Sequence, residues 1–282
     1  MCPKRLTDEQ VEQYRRDGYV SPVRVMAEDE AAAIRQKIEA FEAAQGKSLH
    51  GTQRTKCSLL FPWVYELFTS DAVLDAVEDV IGPNILQYQC GAWVKEPETG
   101  SYVSWHQDCT YYGLDPLELV SAWVALSPAS EDSGCMQVLP GSHLQGEIPT
   151  ANTELNEDNL LASGMRAQVE IDESKAVPMP LRPGEMSLHH VALLHSSRPN
   201  HGDDRRIGIS GGFMPTHVRQ TTILQASAML VRGTDDYGHF PLDERPPVSP
   251  DDPATIACHD RAVTLYRDKA VECGNDTAWR LS

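Results

Sequence analysis

The chain lacks any apolar run long enough to cross a bilayer: stretches such as Val191–Leu194 are interrupted by histidine or charge far short of the ~20 residues a span requires. A membrane role is therefore not expected. Basic residues are scarce, with 24 Lys and Arg against 41 Asp and Glu and a formal charge of −17, and such a surface repels nucleic-acid phosphates and anionic lipid alike. No nucleic-acid partner is expected either. No two of the seven cysteines form a C-x-x-C pair, and their odd number and wide scatter fit reduced thiols packed in the core better than disulfides or a thiolate zinc site. Internal repeats and low-complexity blocks are missing as well. The opening residues, Met1 to Gln10, pass straight into an acidic amphipathic pattern without the apolar core of a secretory signal, so the expected location is the cytoplasm.

What is present suffices for a sizeable core: 282 residues, 41% of them hydrophobic and 23% charged. Thr7 with Gln10 three positions later makes a capping box, and Val11, Tyr14 and Gly18 predict a short helix. Ile34, Ile38 and Phe41 give a second helix over residues 27–44, and Val73, Leu74, Val77 and Val80 a third over 72–80, before the Gly82-Pro83 break. Beyond Gly82 the texture changes to short β-prone runs: 85–94, 102–105, 120–126, 135–139, 176–181, 186–194 and 206–214. Turn residues at Pro128, Gly134, Pro140-Gly141, Pro183-Gly184 and Pro199 to Gly202 punctuate them. No long helices intervene, which predicts an antiparallel architecture closed as a double-sheet jelly roll. The expectation is a mainly β fold with flanking helices: a helical N-terminal third (about 1–82), a double-stranded β-helix, cupin-like core (about 83–220) and a C-terminal extension (about 221–282), all one domain. Residues 241–253, rich in Pro and acid, read as a connector to a terminal helix over 254–273.

The chemistry concentrates in Ser104-Trp-His-Gln-Asp-Cys109. On a strand, His106 and Asp108 point to one face about 7 Å apart, close enough to share an ion. The third ligand comes from Met186 to His195, which carries three histidines. If that strand is unbroken, His189 and His195 are roughly 20 Å apart and only one reaches the ion. His195 is favoured because it ends the run before a polar turn, with His189 and His190 left as packed histidines. Two imidazoles and a carboxylate make the facial triad that holds Fe(II) and leaves positions open for substrate and oxygen, although the same donors also suit zinc with a hydrolytic water. A metal-dependent hydrolase and a non-catalytic jelly-roll binding protein are the alternatives. Arg206 tips the choice: a strand places it with Gly208, Ser210 and Gly212 on one face, a bidentate fork with room for a carboxylate, while Arg205 points outward.

Taken in order, Arg16-Asp-Gly-Tyr-Val20, Gly82-Pro-Asn-Ile85, Trp105-His-Gln-Asp108, Ala122-Trp123, Ser133 to His143, and His195 with Arg206 eleven positions on make the chain resemble the phytanoyl-CoA dioxygenase-like Fe(II)/2-oxoglutarate oxygenases, from about Leu6 to about Gln220. The resemblance implies that His106, Asp108 and His195 are the iron ligands. It also implies that Arg206 grips the far carboxylate of 2-oxoglutarate with Ser197 beside it, and that Trp123 and Gln89 flank the cosubstrate. The chain is also similar to carrier-protein-dependent halogenases over Ala176 to Met179 and Pro215 to Val218, but those have a small residue where this chain has Asp108. Hydroxylation by O2, with release of succinate and CO2, is therefore the expected outcome. Tyr102, Tyr111, Tyr112, Arg54 and Lys56 are placed at the mouth and suit a small anionic or zwitterionic substrate, a small metabolite or natural-product intermediate.

Overall fold

The computed structural model describes residues 3–152, 158–161, 164–245 and 249–273. In chain order its elements are α1 (Asp8–Asp17), β1 (Tyr19–Arg24), α2 (Glu28–Gln45), α3 (Cys57–Leu60), α4 (Pro62–Phe68), α5 (Asp71–Ile81), β2 (Ile85–Lys95), β3 (Val103–His106), β4 (Leu114–Asp115), β5 (Val120–Ala125), β6 (Met136–Val138), β7 (Thr150–Asn152), β8 (Met165–Ala167), β9 (Val177–Met179), β10 (Glu185–His190), β11 (His195–Ser197), β12 (Arg206–Pro215), β13 (Arg219–Gln220), β14 (Met229–Arg232) and α6 (Pro253–Glu272). The capping box at Thr7 forms in both directions, and α1 stops at Gly18, whose φ of 83° an L side chain rarely adopts. No described helix is long and apolar enough to cross a membrane.

Two antiparallel sheets carry the site: a six-stranded one in the order β1-β10-β5-β12-β2-β14, and a four-stranded one in the order β3-β11-β6-β9. Alternation along the strands, interrupted by bulges in β1 and β2, divides the large sheet into two faces. Cys90 and Ala92 of β2, Val120, Ala122 and Val124 of β5, Met186 and Leu188 of β10, and Ile207 and Ile209 of β12 share one core with Val11, Tyr14, Phe61, Phe68, Leu74 and Val77 of the helical segment. Each such aliphatic side chain contributes about 1.5–3 kcal/mol on burial, which pins the register. The opposite face is thereby committed to Gln89, Trp93 and Lys95, Ser121 and Trp123, Ser187 and His189, and Arg206 and Ser210. Those polar and aromatic positions look toward the small sheet.

Three features depart from the sequence reading. Residues 186–194 are not one strand: β10 ends at His190, and a turn over 191–194 carries the chain across to β11 in the other sheet. Tyr19–Arg24 forms a strand, β1, antiparallel to β10. Beyond residue 220, β14 pairs with β2 and lengthens the large sheet. The terminal helix, by contrast, forms where expected, with Asp252 capping it through the Ala254 amide at 2.7 Å and Pro253 in its first turn.

Candidate active site

Cross-strand pairing builds the first half of the site. β11 lies antiparallel to β3 with His195 directly opposite His106, and the two imidazole centroids are 4.0 Å apart. Each ring is fixed by its own backbone: His106 Nδ1 is 2.9 Å from the Ser104 carbonyl and His195 Nδ1 is 2.9 Å from the Leu193 carbonyl. A proton on Nδ1 in both rings leaves the two Nε2 lone pairs facing inward, the tautomer a metal needs. β3 ends at His106, and Asp108 opens a short 3₁₀ turn instead of continuing the strand. The turn still delivers the carboxylate, with Oδ1 3.5 Å from His106 Nε2 and 3.7 Å from His195 Nε2. The three donor atoms lie within 4.8 Å of one another.

The other carboxylate oxygen is held from the large sheet. Ser121 Oγ donates to Asp108 Oδ2 at 2.8 Å, and His189 Nε2 stands 3.5 Å from the same atom. Burial acts to raise the Asp108 carboxyl, but the imidazoles of His195, His106 and His189 hold it well below the usual carboxylate range. Burial, with His106 adding to it, pushes His195 down to about 3. Both directions leave a carboxylate beside a neutral imidazole at neutral pH. Two imidazole nitrogens and one carboxylate oxygen form a donor set that fits a divalent iron on one face.

The second half lies deeper between the sheets. Arg206 is buried at the start of β12, its Nη1 donating to the Gly134 carbonyl at 2.8 Å, while Nε has no partner among the described residues. Its guanidinium carbon sits 5.2 Å from the Trp123 ring centroid, and burial lowers its pKa to about 10. Gly208 makes this stacking possible: a Cβ there would fall 1.9 Å from Trp123 Cζ2. Ser210 accepts from Trp93 Nε1 at 2.9 Å, which closes the wall beside it. Arg205 turns away, as expected, and pairs with Glu42 and Glu96, each at 2.8 Å.

The seven residues assigned to the metal and the cosubstrate, Gln89, His106, Asp108, Trp123, His195, Ser197 and Arg206, line a single cavity. Sequence reasoning missed His189. Its ring centroid is 4.9 Å from that of His195, because the turn over 191–194 folds the two histidines together across the sandwich where an unbroken strand would separate them. Ser121 and Lys95 were missed as well; period-2 alternation from Trp123 and from Gln89 would have placed both on the inner face. Of the residues assigned to the mouth, Tyr112 lines the cavity. Lys56 does not: it is buried, donating to the Ser227 carbonyl at 2.7 Å and facing Asp243 at 3.3 Å, so its charge is already matched. Arg54 donates to the Ala92 carbonyl and stacks over Trp93 at 6.0 Å.

Comparison with known proteins bears on this arrangement. The family model described as phytanoyl-CoA dioxygenase (PhyH) matches residues 14–208. A probable alpha-ketoglutarate-dependent hypophosphite dioxygenase of Stutzerimonas stutzeri is 27% identical over 201 residues, covering 71% of this chain and 66% of that one. The chain spans between 39% and 66% of the length of that relative and of the mouse phytanoyl-CoA dioxygenase domain-containing protein 1. Among solved structures, the non-haem monooxygenase ThoJ without ligand is 32% identical with a TM-score of 0.83, covering 95% of this chain and 99% of that one. CytC3 with Fe(II) and alpha-ketoglutarate, 23% identical over 88% of this chain and 98% of that one, shares the fold at a TM-score of 0.64. With the match running through His106, Asp108, His195 and Arg206, the chain belongs to the phytanoyl-CoA dioxygenase family.

Proposed function

We propose that the protein is a non-haem Fe(II)- and 2-oxoglutarate-dependent dioxygenase that hydroxylates an unactivated C–H of a small metabolite or natural-product intermediate, releasing succinate and CO2. One observation carries the reading: a trio of two imidazoles and a carboxylate and an incompletely partnered buried guanidinium line the same cavity. His106, Asp108 and His195 would hold the ferrous ion, which supplies the coupling of O2 reduction to cosubstrate decarboxylation and C–H oxygenation.

The chain's own residues supply position and shielding. Arg206 and Ser197 hold the far carboxylate of 2-oxoglutarate, and Trp123 and Gln89 flank its length, so the cosubstrate is oriented before substrate arrives. Ser121 keeps one Asp108 oxygen occupied and so presents the other to the metal. With Asp108 filling the third protein position, oxygen insertion is favoured over halogen transfer. Trp93, Tyr112 and Met136 give the cavity aromatic and apolar walls. We further read the whole chain as one cytoplasmic oxygenase domain on a jelly-roll core.

The test is a substrate screen scored by succinate release. Release should require Fe(II) and O2, match O2 uptake, and vanish in Asp108→Ala. Turnover with zinc, without O2 uptake or 2-oxoglutarate, would establish a hydrolase instead.

A further inference from the structure

Lys95 is fully buried at the end of β2, directly opposite Arg206 of β12 in the antiparallel register. Opposite residues share a face, so two cations stand side by side on the inner surface, an arrangement that repels. Neither has a carboxylate partner among the described residues. Arg206 donates to the Gly134 carbonyl, and the Lys95 amine is surrounded by Ser197 Oγ at 2.7 Å, the Gly134 carbonyl at 3.4 Å and the Arg198 carbonyl. The titratable and charged groups facing the amine are Arg206 from β12 and the Cys135 thiol. The adjacent charges point elsewhere, Glu96 to Arg205 and Arg198 to Glu173.

The three neighbours of the amine decide which way the Ser197 hydroxyl points. A neutral amine has two N–H donors and one lone pair. With two carbonyls taking the donors, the lone pair accepts the Ser197 O–H, and the hydroxyl presents only its oxygen to the cavity. An ammonium has three donors, one for each neighbour. Ser197 Oγ then accepts from Lys95, and its hydrogen is free to turn into the cavity.

We propose that Lys95 is a positioning residue for the cosubstrate: it takes up one proton as a carboxylate binds at Arg206 and Ser197, and this turns the Ser197 hydroxyl from acceptor to donor. The step balances, since solvent supplies the proton. The pair carries one positive charge when empty, and two positive charges plus the carboxylate's negative one when filled. Burial first, and then the nearby Arg206, lower the empty-site lysine to about 6, so the amine is mostly neutral at pH 7.5 until an anion enters. The inference rests on Arg206 and Ser197 being the cosubstrate end of the site.

Calorimetric titration of 2-oxoglutarate into the Ni(II)-loaded protein, anaerobically at pH 7.5 in phosphate, HEPES and Tris, tests it. The heat plotted against buffer ionisation enthalpy should give uptake of close to one proton per site, and Kd should rise about tenfold between pH 7 and 8. 2-Oxoglutarate is fully ionised over that range and contributes no proton of its own. Lys95→Met should bind at least tenfold more weakly at pH 7, with proton uptake and pH slope both lost. Wild-type binding with no proton exchange and a flat pH profile overturns the inference while leaving the Arg206 assignment standing, and needs no variant to fold. Failure of 2-oxoglutarate to bind at all overturns both.

Discussion

Gly208→Ala adds one methyl group on the inner face of β12, and the structure fixes what it meets. The new Cβ would sit 1.9 Å from Trp123 Cζ2 and 2.4 Å from Cε2 and Cη2, well inside contact distance, with a strand backbone on one side and a buried indole on the other. Trp123 must swing away, because β12 is locked between β2 and β5 along its length. Overpacking of this kind costs about 1–3 kcal/mol and should lower Tm by roughly 2–8 °C. The displaced ring also leaves the Arg206 guanidinium that it now covers at 5.2 Å. Loss of that stacking is worth about 0.5–2 kcal/mol, a Kd for 2-oxoglutarate weaker by roughly 2- to 30-fold. Differential scanning calorimetry and anaerobic 2-oxoglutarate titration read the two effects separately. Adding Trp123→Leu to Gly208→Ala removes the clashing atoms and should restore Tm without restoring affinity. If Gly208→Ala melts and binds 2-oxoglutarate as wild type does, Trp123 is not held against the strand and its place over Arg206 has no energetic content.

Other consequences follow from the same geometry. Ser121→Ala frees Asp108 Oδ2, and the Fe(II) affinity should fall about 10- to 100-fold by equilibrium dialysis; an unchanged affinity would mean the carboxylate is oriented by something else. His189→Leu should still bind one Fe(II) per chain, since His189 faces Asp108 rather than completing the trio, whereas loss of all metal would make it a fourth ligand. His195 is depressed by burial to about 3, so the unfolded chain binds its proton first as pH falls. Metal-free protein should therefore lose stability progressively from about pH 6.5 toward pH 3, and His195→Gln should flatten that limb in urea titrations; an equally steep limb would place the acid sensitivity elsewhere.

Much of the site was legible because its chemistry sits where local rules are strong. His106 and Asp108 are close in sequence, so any compact turn or strand end brings their donors together. Arg206, Ser210 and Gln89 follow period-2 alternation on strands whose other face is plainly apolar. The helix at Thr7 was equally clear from its capping residues. The break after His190 was not, since Val191–Leu194 contains no glycine or proline, and only the pairing of β10 with β5 and of β11 with β3 shows that the chain changes sheets there. That one turn explains why His189 was assigned to packing and found beside Asp108 and His195. Lys56 misled for the opposite reason. Beside Arg54 it reads as a cation free for substrate at the mouth, yet its partner Asp243 lies 187 positions away and no local pattern could supply it. Lys95 shares that difficulty, as its meaning comes from Arg206 across the sheet.

The visible spectrum of the protein with Fe(II) and 2-oxoglutarate, recorded without oxygen, addresses the shared site most directly. A weak charge-transfer band should appear in wild type, be lost in His195→Ala, and require much higher 2-oxoglutarate in Arg206→Ala. A wild-type protein that shows no band, or a His195→Ala protein that shows the same one, would mean that these side chains do not assemble around a chelated ferrous ion.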